Sequence, residues 1–177
     1  MSTIIQPPKY PVGEFQRKEN YGEIDNRDHA TRLRDTPKKL RKVTAGLSPQ
    51  QLDTKYNNWT VRQIVNHLAD SHMNGFVRFK LALTEDVPTI KPYNETLWSE
   101  IIDAKNGPIE PSLQILDGIH ARWSDLAEQL DPSVLRREFH HPELGRHVSL
   151  AEALHMYAWH SEHHLGQIQW LREQRGL

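Results

Sequence analysis

The chain has 177 residues, enough for one domain with a substantial core and short for two. Its 22 Lys and Arg set against 23 Asp and Glu leave a formal net charge of -1, so the overall balance draws it neither to nucleic acid nor to an anionic membrane. Having no cysteine, it has no disulfide framework, thiolate zinc site, iron–sulfur cluster or cysteine nucleophile, and any thiol chemistry must use a substrate's sulfur.

The first eight residues have neither a basic n-region nor an apolar h-region, and no stretch approaches the ~18 apolar residues that span a bilayer. A soluble cytoplasmic protein is expected. Residues 1–24, with Pro7, Pro8, Pro11 and Gly13 and little periodicity, predict an extended arm lying on the body or partly mobile, and residues 25–177 a single domain. Across 25–47, Leu33, Leu40, Val43 and Leu47 recur at helical intervals, and Pro37 is expected to kink or split this first helix. In the second helix Thr60 and Gln63 form a capping-box pattern, and Val61, Ile64, Val65, Leu68, His72, Phe76 and Phe79 trace a stripe towards Thr84.

Pro88 and Pro92 make 85–94 a loop, followed by a short helix over 95–104 around Leu97, Trp98 and Ile101. Pro111 and Ser112 open a third long helix that ends at Asp131-Pro132. Within 133–148, Pro142 and Gly145 punctuate two weakly β-like runs, read as a short hairpin or an irregular loop. Ser149 and Glu152 supply a capping box for the last helix, whose Leu150, Ala153, Leu154, Tyr157, Ala158, Leu165, Ile168 and Leu171 share one broad face. Four long helices without an internal repeat predict an all-α four-helix bundle, its second and third helices joined by a long crossover over 85–111.

On the last helix, Tyr157, His160, His164, Ile168 and Leu171 fall on one inward line. His160 and His164 are four residues apart, so they project from one face about 6 Å apart along the axis and can share one ion. A single inward histidine is more often a core residue satisfied by hydrogen bonds; two in register, which as buried imidazoles one turn apart must share donors, leave a shared cation and a hydrogen-bonded core pair both open on spacing alone. His67 on the second helix would complete a three-histidine set. Ser161 stands where an H-E-x-x-H zinc protease needs glutamate, which disfavours that class, and His155 and His163 read as solvated or rim histidines.

Trp59-Thr60-Val61-Arg62-Gln63, then His67-Leu68-Ala69-Asp70-Ser71-His72-Met73-Asn74, Arg78-Phe79-Lys80-Leu81 and Trp159-His160-Ser161-Glu162-His163-His164 together resemble the YfiT-like branch of the DinB superfamily. Tyr10-Pro11-Val12-Gly13-Glu14 and Lys91-Pro92-Tyr93 extend the resemblance through most of the chain. It implies a bundle of up-down-down-up topology, a homodimer, and one divalent metal ion held by His67, His160 and His164. Asn57-Asn58, where relatives tend to have glycines, is a departure confined to a turn.

Three neutral imidazoles leave the ion's charge uncompensated and at least one position open, as in catalytic rather than structural sites. The resemblance implies a metal-dependent hydrolase acting on a small molecule. Its relatives also include bacillithiol- and mycothiol-dependent transferases, so a metal that activates a low-molecular-weight thiol is the alternative, and a metal that only braces helices is a third. Zinc is the default, with nickel, cobalt or iron also suited to imidazole. Asp70 and Glu162 are the candidate bases or orienting residues and Arg78 is a candidate contact for an anionic substrate, although Asp70 and Arg78 read more readily as surface ion-pair partners, and Tyr157 reads as core packing. The cluster Arg32, Arg34, Lys38, Lys39, Arg41 and Lys42 reads as a solvated helix face, since no nucleic-acid motif accompanies it. No G-x-S-x-G elbow, P-loop or G-x-G-x-x-G occurs.

Overall fold

The structure, a computed structural model, describes residues 5–177; residues 1–4 of the expected arm lie outside the described residues. In chain order the elements are α1 (Glu23–Thr44), a single turn α2 (Pro49–Leu52), β1 (Lys55–Tyr56), β2 (Trp59–Thr60), α3 (Val61–Thr84), α4 (Glu95–Ser99), α5 (Ile102–Asn106) and α6 (Glu110–Gln129). A 3-10 turn at Val134–Arg136 leads to β3 (Glu138–His141), β4 (Arg146–Ser149) and α7 (Leu150–Arg175). Among the described residues no helix is long and apolar enough to cross a membrane.

Helices α1, α3, α6 and α7 form the four-helix bundle, and their side-chain contacts give the directions. Arg41 near the end of α1 reaches Glu110 and Asp117 at the start of α6, so these two run antiparallel. Asn66 near the start of α3 accepts from Ser112 at the start of α6, so α3 and α6 run parallel. Arg172 on α7 donates to the carbonyl of Val43 on α1, while Arg32 pairs with Glu162, which makes α1 and α7 parallel. The order is therefore up-down-down-up, and α1 and α3 each pack on both α6 and α7. A parallel α3–α6 pair forces the chain to return the length of a helix. The return segment carries α4 and α5, which lie on the first turns of α3 through Gln63 to the Ser99 carbonyl and Asn66 to the Ala104 carbonyl.

Local chemistry accounts for the ends of the elements. Thr60 and Gln63 form the reciprocal capping box of α3. Just before it, Asn57 at φ 51° occupies the left-handed region in the two-residue turn between β1 and β2, a place Asn tolerates better than most side chains. At α7 only half of the expected box forms: Ser149 accepts from the Glu152 N–H, but the Glu152 carboxylate is drawn to Arg17 and Arg146 instead. The segment between α6 and α7 is a hairpin, β3 pairing antiparallel with β4. Two short helices, α4 and α5, replace the single one expected over 95–104.

Pro37 neither splits nor ends α1, which continues for two more turns to Thr44. A helical proline deprives the carbonyl four residues earlier of its donor. Here that carbonyl, on Leu33, takes a hydrogen bond from the His120 ring on α6 at 2.6 Å, so the vacancy is filled from a neighbouring helix. Of the basic cluster on α1, Arg32, Arg34 and Arg41 each bind carboxylates of α6 or α7, while Lys38, Lys39 and Lys42 are exposed.

The core divides in two. Leu33, Phe76, Phe79, Trp123, Leu150 and Leu154 belong to one apolar cluster, and Leu40, Ile64, Leu68, Leu116, Ile168 and Leu171 to the other. Between them, at matching heights on α3, α6 and α7, lie His67, His72, His120, His160 and His164.

Candidate metal centre

His67 sits two turns into α3, on the side of the helix that faces α7, and the antiparallel run of α7 brings His160 and His164 opposite it. The Nε2 atoms of His67 and His164 each lie 3.2 Å from Nε2 of His160. A tetrahedral zinc ion with metal–nitrogen distances of about 2.0–2.1 Å has nitrogen–nitrogen edges of about 3.3 Å. Among the described residues these three form the cluster whose ligand atoms all fall within 4.8 Å of one another. The donor set fits a divalent ion in spacing, and it fits in protonation as well. Burial, followed by the neighbouring imidazoles, holds all three rings well below the usual histidine range, so each is neutral and has a lone pair to give.

The surroundings orient these rings. His164 Nδ1 lies 2.8 Å from Oε1 of Gln167, whose amide nitrogen in turn faces His163 Nε2 at 3.0 Å; an Nδ1–H donated to that oxygen leaves Nε2 of His164 bare. Trp59 covers two of these rings, its own ring 4.4 Å from that of His67 and 6.0 Å from that of His164.

Two cavities open beside the cluster. One, about 390 Å³, is lined by Ser71, Arg78, Tyr93, Glu95, Tyr157 and His160. The other, about 420 Å³, reaches Trp59, Glu95, His163 and His164 under the N-terminal arm at Tyr10. A larger hollow of about 530 Å³ lies elsewhere, among Arg17, Tyr21 and Glu152, and touches none of the three histidines. Of the three histidines, His160 opens into the first of the smaller two and His164 into the second.

Glu95 lines both cavities, and its Oε2 is 4.0 Å from Nε2 of His67. This residue escapes sequence reasoning: it comes from the crossover, 28 positions after His67, and no spacing ties it to the histidines. Asp70 and Glu162, by contrast, are not gathered into the cluster. Glu162 turns towards α1, where its carboxylate is held by Arg32, and it lines neither site cavity. Asp70 is half-buried and lines neither cavity; burial, with Asp103 nearby, raises its carboxyl to about 6. Arg78 does reach the site cavity, donating to the Lys91 carbonyl and lying 3.5 Å from the Tyr157 hydroxyl, and among the described residues it forms no ion pair.

His155 and His163 are more covered than rim residues. The arm crosses α7 with Trp159 donating to the Gly13 carbonyl, Tyr10 against His163 and Phe15 against His155, and burial lowers both imidazoles. Tyr157 is 2% exposed and packs on Trp123, but its edge also lines the site cavity.

Comparison with known proteins agrees with this geometry. The family model of the DinB superfamily matches residues 32–168, a span that contains all three histidines. The chain belongs to the DinB superfamily. It is 46% identical over 165 residues to a protein of Oceanobacillus iheyensis, covering 90% of this chain and 93% of that one, and 41% identical to YfiT of Bacillus subtilis, covering 94% and 95%. The names of both propose a metal-dependent hydrolase. A solved structure of Bacillus subtilis YfiT, described as a four-helix bundle of unusual topology, superposes with a TM-score of 0.91 at 40% identity over 94% of this chain and 97% of that chain. Within the superfamily the chain is YfiT-like.

Proposed function

We propose that this chain is a metal-dependent hydrolase that holds one divalent ion on His67, His160 and His164 and cleaves a small molecule bearing an anionic group. The observation that carries the reading is the convergence of three neutral Nε2 atoms at tetrahedral spacing beside an open cavity. Zinc is the first candidate, since three imidazoles with a free position suit it. When bound, such an ion supplies Lewis acidity and brings the ionisation of a water ligand down to about pH 7.

The chain's own residues supply the rest. Glu95, at the mouth of both cavities, is the carboxylate positioned to take a proton from the attacking water. Arg78, without a carboxylate partner among the described residues, lines the cavity and holds the anionic group of the substrate. Trp59 shields the ring edges of His67 and His164 from bulk water.

The test is metal content joined to turnover. The wild-type chain, loaded and desalted, should retain one ion and hydrolyse members of an ester and amide panel without added thiol, and His160→Ala should lose both the ion and the turnover while keeping its helix content. One tightly held ion in His160→Ala would overturn the ligand assignment. Turnover that appears only with a low-molecular-weight thiol would replace hydrolysis by thiol transfer at the same site.

A further inference from the structure

Behind the proposed ligands, a line of imidazoles runs across the bundle to α1. His160 Nδ1 lies 3.2 Å from Nε2 of His72 on α3, His72 Nδ1 lies 2.9 Å from Nε2 of His120 on α6, and His120 Nδ1 lies 2.6 Å from the Leu33 carbonyl on α1. His72 and His120 are both 0% exposed, so neither can exchange partners with water.

The far end of this line sets its direction. A carbonyl oxygen only accepts, so His120 must donate from Nδ1. Both rings are wholly buried with ring nitrogens and a carbonyl as their partners, a setting for neutral imidazoles, and a neutral imidazole has one donor and one acceptor. With its proton on Nδ1, His120 offers Nε2 as an acceptor, and His72 must donate to it from its own Nδ1. His72 then offers Nε2 to His160, which must donate from Nδ1 and is left with a bare Nε2. The Leu33 carbonyl is open for this use because residue 37, whose N–H would ordinarily bind it, is a proline.

We propose that His120 and His72 are positioning residues: a directional hydrogen-bonded relay, anchored on the Leu33 carbonyl that Pro37 leaves open, fixes His160 with its proton on Nδ1 and its Nε2 lone pair aimed at His67 and His164. The relay rests on the reading of His160 as a metal ligand. It adds a reason why the fold retains two wholly buried histidines that touch no substrate cavity, and why a proline persists inside α1. It also makes the metal-free site unstable in itself, since the lone pairs of His160 and His164 face each other at 3.2 Å with no proton to share, and a cation satisfies both.

Two measurements test it on the full-length chain. Imidazole 15N shifts of the metal-free wild type should place the proton on Nδ1 in His120, His72 and His160, whereas free neutral histidine favours Nε2. Competition with a chromophoric chelator for zinc should show His72→Leu binding about 10–100-fold more weakly than wild type. His72→Gln, whose amide can accept from His160 and donate to His120, should recover most of that loss. A proton on Nε2 of His72 or His160, or undiminished affinity in His72→Leu, would overturn the relay in a chain that binds metal. Failure of the wild type to bind zinc would instead overturn the ligand reading, and the 15N result would still report the direction of the line.

Discussion

Gly75 lies in the middle of α3, where helix propensity alone makes Gly75→Ala favourable by about 1 kcal/mol. The packing gives the opposite sign. A Cβ at this position would stand 2.3 Å from Cζ, 2.6 Å from Cε1 and 2.7 Å from the hydroxyl oxygen of Tyr157 on α7, against the about 3.5–4.0 Å at which such atoms rest. The ring is held by Trp123 at 4.9 Å and His72 at 5.0 Å between centroids, and only its edge meets the site cavity. Relief requires the ring to give up these contacts or α3 and α7 to part. Overpacking of this kind costs about 3 kcal/mol at the upper end of its usual range, which after the propensity gain leaves a net loss of about 2 kcal/mol. For a chain of this size that is a fall in Tm of about 4–8 °C. Thermal and urea unfolding of the metal-free variant measure it directly. Because the same two helices carry His67 on one side and His160 and His164 on the other, zinc affinity should weaken in parallel. In a Tyr157→Ala background the penalty should vanish, since the atoms it strikes are gone. A Gly75→Ala chain as stable as wild type, or an equal penalty without the tyrosine ring, would refute this account of how α3 and α7 are spaced.

Two further outcomes are expected. Glu95→Gln keeps the side chain's size and removes its basicity, so turnover of a substrate identified in the hydrolysis panel should fall by about 10²–10⁴-fold with metal stoichiometry unchanged; a rate within about twofold of wild type would remove Glu95 from the reaction. The metal-free chain should also lose stability in acid. His120 titrates near 4 in the fold, against an ordinary value of 6.5, because burial disfavours its charged form. Its folded-state value is depressed, so below about pH 6.5 the unfolded chain binds the proton that the folded chain refuses. Stability is full above that pH and is lost as pH falls towards 4, His120 alone accounting for about 2 kcal/mol between pH 8 and pH 5. His29, His67, His72, His160 and His164 act in the same sense. Asp70, raised to about 6, and Glu95, raised by burial, oppose them, two carboxyls against six imidazoles. Urea unfolding at the two pH values checks this, and equal stabilities would mean that the imidazoles are not buried neutral.

What the sequence discloses here is what local periodicity can carry. The capping box at Thr60 and Gln63, the stripe along α3 and the pairing of His160 with His164 one turn apart all depend on contacts within a few residues, and each stands in the structure where the spacing puts it. Residues whose partners come from elsewhere in the chain are misread by the same rule. Glu162 sits within the His160–His164 turn and reads as a site residue, yet Arg32, 130 positions away, holds its carboxylate. Glu95 reads as the first residue of a short helix with nothing to tie it to the histidines, and only the return path imposed by the parallel α3 and α6 lays it over His67.

Pro37 and His120 show the limit from the other direction. Each breaks a local rule: a proline inside a helix removes a hydrogen bond, and a buried histidine in an otherwise apolar stripe needs a partner. Judged within its own helix, Pro37 predicts a break in α1, and His120, in step with Leu113, Leu116 and Trp123, draws no notice at all. The two are 83 positions apart in the sequence, and each supplies what the other lacks, an acceptor without a donor and a donor without an acceptor. That complementarity is invisible to any window-based reading. It also implies that replacing either residue alone leaves the other as the defect, so the pair Pro37 and His120 should behave non-additively in stability, with His120→Leu more harmful in the wild-type background than in Pro37→Ala, where the backbone N–H restores a donor to Leu33.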